Sequence, residues 1–297
     1  MTEIPLYNRH TKQLESEAVY EQRVMEFLYC TRLGFWLTEA VLKHRWVTDA
    51  TARRMHSPAS RAKIKPFIEQ FNINTNEIAR PVESFTCFND FFIRQLNPTA
   101  RPINREPSHL ISPADSRLIA YPIERGTVIP VKGRAFTVTD LLRDETLAEK
   151  YVNGLCLVFR LAPVDYHRFG YVDDGEQSAV RVINGFYRSV NPLALWKNLN
   201  IFPENQREFC VLHTRNFGDV LHVDVGATSV GRVIQHQRDG GAMRRGDEKG
   251  YFEFGGSTSI LLFQAGRVQM DEDIAMYSKQ GIETIVRYGE RIGQRIG

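Results

Sequence analysis

The chain has 297 residues, 42% hydrophobic and 25% charged, a balance that supports one large or two modest cores and excludes a disordered polypeptide. Its formal net charge of +3 makes no demand for nucleic acid and allows only a weak preference for anionic membrane surface. The four cysteines, Cys30, Cys87, Cys156 and Cys210, form no C-x-x-C pair, so a buried reduced thiol is expected at each, with neither a metal site nor a disulfide framework.

In chain order, Met1-Thr2-Glu3-Ile4-Pro5 lacks the basic segment and apolar core of a secretory signal. No apolar run approaches the roughly 18 to 20 residues of a spanning helix, so the expectation is a soluble or peripheral protein. From Val19 to Val47 the apolar spacing is helical, carried by Val24, Phe27, Leu28, Leu33, Phe35, Trp36, Val41 and Leu42 and closed by Lys43, His44 and Arg45. Such a segment suits a membrane interface and suits equally a helix packed on the protein body. Arg53, Arg54, Arg61, Lys63 and Lys65 follow, and near anionic headgroups each would add about 1 kcal/mol of attraction. Phe88, Phe91, Phe92 and Leu96 predict a short aromatic helix stopped by Asn97-Pro98.

Beyond Ser112-Pro113-Ala114-Asp115-Ser116-Arg117 the apolar period changes from about 3.6 to about 2. Strands are expected at 118–121, 127–131, 156–161, 209–212, 220–225 and 260–263, with a helical stretch over 139–151. The predicted fold class is α+β: a helical, membrane-associating N-terminal region, residues 1–104, followed by a single β-rich catalytic domain, residues 105–297.

Three residues carry reactive groups at places suited to chemistry. Ser257 follows Gly255-Gly256 and precedes a strand, so its hydroxyl can fold back on the Gly256 carbonyl, which no Cβ shields. An ordinary Gly-Gly bulge opening a buried strand has the same appearance. His167 lies just past the 156–161 strand, and Asp115 lies at a turn, where a cap or Asx-turn carboxylate is the commoner use. Together they have the composition of a nucleophile, a base and a base-orienter.

The words around these residues are more specific. Ser-Pro-Ala-Asp at 112–115, Asp-Tyr-His-Arg at 165–168, Val-Gly-Ala-Thr-Ser-Val-Gly at 225–231 and Phe-Gly-Gly-Ser-Thr at 254–258 occur in that order. With the F-x-x-F-F-x-R-x-L-x-P-x-x-R-P pattern from Phe88 to Pro102, they resemble the phosphatidylserine decarboxylase family from about Phe85 to Gly289. The resemblance implies a proenzyme. Ser257 would attack the Gly256 carbonyl in an N-to-O acyl shift, the ester would eliminate, and hydrolysis would leave a pyruvoyl group at position 257. Gly256 is the implied cleavage site, with Asp115, His167 and Ser257 as catalytic residues. The products would be chains 1–256 and 257–297, held as a heterodimer and open to further oligomerisation.

The implied reaction is pyruvoyl-dependent decarboxylation of phosphatidylserine to phosphatidylethanolamine, with no metal and no nucleic-acid partner, on an anionic membrane surface at the cytoplasmic face. A pyruvoyl group would do the work of pyridoxal phosphate without a bound cofactor. Decarboxylation of a soluble amino acid, an uncleaved serine-hydrolase-like enzyme and a non-catalytic relative are the alternatives. One departure stands out: the family's His-Arg-x-His is here His167-Arg168-Phe169-Gly170, so the second histidine is a glycine. Either His167 serves both steps, or another histidine supplies the base, or maturation is crippled. His213, His222 and His236 are the candidates, with His213 preferred for its place at a strand end. Arg101, Arg134, Arg168 and Arg207 are candidate phosphate partners. Asp173-Asp174 reads as a solvated turn rather than a metal site.

Overall fold

A computed structural model describes residues 4–17, 22–125, 127–128, 136–197, 201–227, 232–255 and 257–297. Val19, part of the expected 127–131 strand, Arg134, the second half of the 225–231 motif and Gly256 lie outside the described residues.

The strand that follows the Gly-Gly turn organises the sheet. The continuous path of the main sheet is made of β1 (Pro5–Asn8), β2 (Gln13–Ser16), β3 (Ser116–Glu124), β4 (Leu155–Leu161), β5 (Gly175–Gln177), β6 (Arg207–Thr214), β7 (Gly218–Val225), β8 (Gly241–Met243), β9 (Ser257–Phe263) and β10 (Glu283–Val286), with three short strands among the described residues paired at its side. They lie in the order β8-β5-β6-β7-β9-β4-β3-β10-β1-β2. β9 is therefore interior, antiparallel to β7 on one edge and to β4 on the other, with Ser257 opposite Leu161 and Thr258 opposite Val225. All seven of its residues are buried. Their side chains alternate: Ile260 and Leu262 enter one hydrophobic core, Leu261 and Phe263 the other, as a two-residue period requires when both faces are covered.

The helical segment expected as one run is broken into α1 (Gln22–Cys30), α2 (Arg32–Leu37), a π-helical turn over Thr38–Leu42 and α3 (Arg45–His56). The break at Thr31 has a local cause, since its extended backbone lets the side-chain hydroxyl accept from the Gly34 amide and cap a new helix. Cys30 is exposed rather than buried, because it ends α1 on the side away from the body; the other three cysteines are buried. α3, α4 (Ile64–Phe71) and α5 (Phe88–Phe92) enclose a third core of Met55, Ile64, Phe67, Phe85, Phe88 and Phe91.

The N-terminal region is not helical throughout. β1 and β2 form a hairpin, and β1 joins β10 in parallel, extending the main sheet. The hairpin delivers Glu17, whose side chain lies between Arg117 of β3 at 3.0 Å and Arg160 of β4 at 2.8 Å. Arg160 also holds Glu283 of β10, and Arg117 pairs with Asp165. Burial by itself would raise the Glu17 pKa, but the two guanidinium groups hold it below the usual carboxylate range. Glu17→Ala is expected to cost about 3 kcal/mol, the low end for breaking a buried ion pair, because Asp165 and Glu283 remain. A depressed carboxylate stabilises the fold above its unfolded pKa and loses that contribution as pH falls. Urea unfolding should therefore show the gap between wild type and Glu17→Ala closing below about pH 4.5.

Candidate active site

Ser257 and His167 meet because their strands are neighbours. Leu161 ends β4 opposite Ser257, and the loop that follows carries Ala162 through His167 back over the start of β9. The Ser257 Oγ lies 3.3 Å from His167 Nδ1. His167 Nε2 is 3.0 Å from the Ala162 carbonyl oxygen, which can only accept, so Nε2 carries the proton and Nδ1 presents a lone pair to the serine hydroxyl. The imidazole stacks on Phe92 of α5, ring centroids 3.9 Å apart. His167 and Ser257 are both fully buried. Burial, assisted by the nearby Arg94 cation, lowers the His167 pKa to about 3, so at neutral pH it is an uncharged base.

Asp115 is close by but occupied. Arg101 grips its two oxygens at 2.8 and 2.6 Å, and the Tyr288 amide donates to it at 2.8 Å. The group that orients His167 is the Ala162 carbonyl, where the sequence pattern had suggested Asp115.

The glycine at position 170 has a structural counterpart. A Cβ there would stand 1.9 Å from the Tyr288 hydroxyl oxygen and 2.7 Å from the Asp247 carbonyl oxygen. Tyr288 thus fills the space a side chain at 170 would need, and its own backbone holds Asp115.

None of the three substitute histidines touches Ser257. His213, the preferred candidate, is exposed and paired with Asp219, opposite it across the β6–β7 ladder. Asp219 is six residues from Val225, the end of β7 beside Thr258, which puts it about 20 Å along the strand from the serine. A strand-end position was the signal that favoured His213, and it lies at the wrong end. His236 is bound to Glu248 at the surface. His222 is buried against Asp224, within a network that includes Ser259, Gln235 and Lys249. Of the expected phosphate partners, Arg101 is held by Asp115 and Glu77, Arg168 by Glu248 and the Ile93 carbonyl, and Arg207 by three backbone carbonyls. Asp173 is not solvated: it is buried against Arg245 and Asn216, since the turn folds inward onto them.

Two side chains in the aromatic helix were passed over in the sequence. Asn89 Oδ1 accepts the Phe254 amide at 2.8 Å, tying the segment before Gly256 to α5. The Phe254 ring packs edge-on against Phe88 and Phe92. Arg94, just beyond α5, is buried beside the loop that bears His167. Both sit inside the quoted F-x-x-F-F-x-R pattern, where the apolar residues drew the attention. Beside Gly255 opens a cavity of about 360 Å³, walled by Val24, Met25 and Leu28 of α1 and Val47 and Met55 of α3, with Arg54 and Lys63 also on its lining.

The sequence model of the family described as phosphatidylserine decarboxylase matches residues 88–294, which span α5, the main sheet from β3 onward and both His167 and Ser257. The chain belongs to the phosphatidylserine decarboxylase family. It is 44% identical to a phosphatidylserine decarboxylase proenzyme of Clostridium novyi over 99% of this chain and 100% of that one. The proenzymes of Clostridium beijerinckii and Ruminiclostridium cellulolyticum are 42% and 44% identical, each over 99% of this chain and 99% and 98% of theirs. Membership makes the chain a decarboxylase of a family made as proenzymes.

The contact between position 170 and Tyr288 predicts that Gly170→Ala loses about 1–3 kcal/mol, the usual cost of overpacking. In a Tyr288→Leu background the loss should be smaller but not zero, because the Asp247 carbonyl remains in the way. Thermal unfolding of the double-mutant cycle measures the coupling.

Proposed function

We propose that this chain cuts itself between Gly256 and Ser257, forms a pyruvoyl group at position 257 and decarboxylates phosphatidylserine to phosphatidylethanolamine at a membrane surface. The observation that carries this reading is the Ser257–His167 pair: a serine hydroxyl aimed at the lone pair of a neutral imidazole, and sealed from solvent. A hydrolase needs its nucleophile within reach of an outside substrate. A buried serine directly after Gly255-Gly256 in the sequence has its own chain as the available target.

The steps assigned to this chain's residues balance. His167 Nδ1 takes the hydroxyl proton as Oγ attacks the Gly256 carbonyl carbon, and the same proton goes to the Ser257 nitrogen as the C–N bond breaks. Elimination then releases the Gly256 carboxylate, and water displaces the nitrogen as ammonia. A pyruvoyl group keeps the three-carbon skeleton of Ser257, so it fits the space the serine occupies; the neighbouring Thr258 hydroxyl is buried and has no hydrogen-bond partner among the described residues. When present, that group supplies a ketone that condenses with an amine and withdraws electrons as carbon dioxide leaves. His167 Nδ1, unprotonated as it stands, would take a proton from the substrate ammonium as the amine condenses and hand that proton to the decarboxylated carbon, with Phe92 stacked on the ring to hold it in place.

The cavity beside Gly255 supports a lipid over a soluble amino acid, since helices α1 and α3 give it apolar walls and Arg54 and Lys63 add positive charge. The outer surface of α2 and α3 supports peripheral membrane binding: Leu33, Trp36 and Trp46 are each more than 60% exposed. No helix among the described residues is long and apolar enough to cross a membrane. The two products of cleavage would stay together as a heterodimer through the ladders of β9 and β10.

Intact mass and denaturing gels test the cut. Wild type is expected as chains 1–256 and 257–297, the second lacking a free amine, whereas Ser257→Ala stays whole and inactive. His167→Ala should also stay whole, slowed by about 10² to 10⁴, while His213→Ala cuts normally. Because His167 is already neutral, cleavage of isolated precursor should be flat between about pH 5 and 8; an inflection near 6.5 would contradict the assigned base. Vesicle sedimentation tests the surface. Trp36→Ser with Trp46→Ser should lower binding to anionic vesicles, and the remaining binding should weaken with salt.

A further inference from the structure

Among the buried arginines, Arg94 is unusual in what it lacks. Its residue is 5% exposed, and Nη2 donates to the carbonyls of Val164 and Asp165 at 3.2 and 3.3 Å. One face lies over the Phe91 ring, 5.0 Å from its centroid. Among the described residues, buried Nε and Nη1 find no hydrogen-bond acceptor. By contrast, Arg207 donates from Nε, Nη1 and Nη2 to carbonyls, and Arg160 is held by two carboxylates. A buried donor left unmade costs about 1–3 kcal/mol, and more when charged, so such a group calls for an acceptor that arrives in function.

The position says which acceptor. Val164 and Asp165 belong to the loop that carries Ala162 and His167, so the free donors stand at the edge of the Ser257–His167 pair. Burial lowers the Arg94 pKa to about 10, partly offset by the Asp115 and Asp165 charges, which leaves it a cation at neutral pH. In the uncut chain this edge is closed: Asn89 holds the Phe254 amide, and the Phe254 ring covers Phe92 and hence His167. Cleavage after Gly256 turns the segment holding Phe254 into a chain end that is free to withdraw.

We propose that Arg94 receives the phosphodiester of the lipid substrate once the chain is cut. The inference rests on the functional reading above and adds to it the residue that recognises the headgroup. The substrate offers two anions, and the chemistry chooses between them. Gripping the carboxylate with a cation would stabilise the ground state that must lose carbon dioxide, whereas gripping the phosphodiester binds ground and transition states alike and anchors the reacting end.

The test uses processed protein and two ligands whose amine is absent or blocked: monomeric dihexanoyl phosphatidylglycerol, which has the phosphodiester alone, and N-acetyl-L-serine, which has the carboxylate alone. By calorimetry, Arg94→Lys should bind the phosphatidylglycerol at least about tenfold more weakly than wild type, and Arg94→Gln more weakly still, with N-acetyl-L-serine unaffected. Equal affinity of wild type and Arg94→Lys for the phosphatidylglycerol would overturn the proposal, as would a loss confined to or shared with N-acetyl-L-serine. Should Arg94→Gln remain uncut, Arg94→Lys alone decides. Failure of the underlying reading is visible separately, as wild-type protein that neither cuts nor releases carbon dioxide from phosphatidylserine.

Discussion

β9 is bonded on both edges and covered on both faces, and that confinement is what the site is built upon. A serine at the first residue of such a strand has its backbone fixed by the ladder and its side chain fixed by packing. The adjacent strand β4 runs antiparallel and ends at Leu161, directly opposite, so the loop leaving it passes over Ser257. Six residues later that loop supplies His167, and one residue past the strand it supplies the carbonyl that orients the ring. The serine hydroxyl, the imidazole and the carbonyl that orients it therefore depend on a single strand pairing. A one-residue slip in register would turn Ser257 to the other face.

The electrostatics follow from the same burial. A carboxylate behind the imidazole would stabilise its protonated form and raise its pKa; a backbone carbonyl fixes the tautomer with far less of that effect. With Asp115 engaged by Arg101 and Tyr288, and with Arg94 nearby, His167 is held as a weak, uncharged base. Weak basicity suits a reaction that each molecule would perform on itself once. The arrangement is coupled to Gly170, because the tyrosine that fills the space beside that glycine is also the residue whose amide holds Asp115.

Much of the fold was legible because its strands are covered on both faces and read as continuous apolar runs, β4, β6, β7 and β9 among them. Ser257 and His167, which the structure brings together, stood out through the words around them. What escaped was set by contacts distant in sequence or by backbone atoms. The hairpin of β1 and β2 is short and polar, and it is a strand pair only because β10 offers an edge. Ala162 acts through its carbonyl, which no residue type advertises. Arg94 looks like any surface arginine until its neighbours are known, and the Arg101 grip on Asp115 is equally invisible in the sequence. The break at Thr31 had a visible signal, a capping hydroxyl in mid-helix, that the strong apolar periodicity obscured.

The sheet order has a consequence for the lifetime of the mature molecule. Residues 257–297 contribute β9, lodged between β4 and β7, and β10, lodged between β3 and β1, so both lie among strands from before the cut. Severing the peptide bond at 256–257 would leave these ladders in place and remove only connectivity. What changes is the unfolded side of the balance: one chain becomes two that diffuse apart, and reassembly becomes a second-order encounter that must re-insert a central strand. Folding would thus be a reversible process in the precursor and a one-way event in the processed form, whose persistence would be governed by the height of its unfolding barrier.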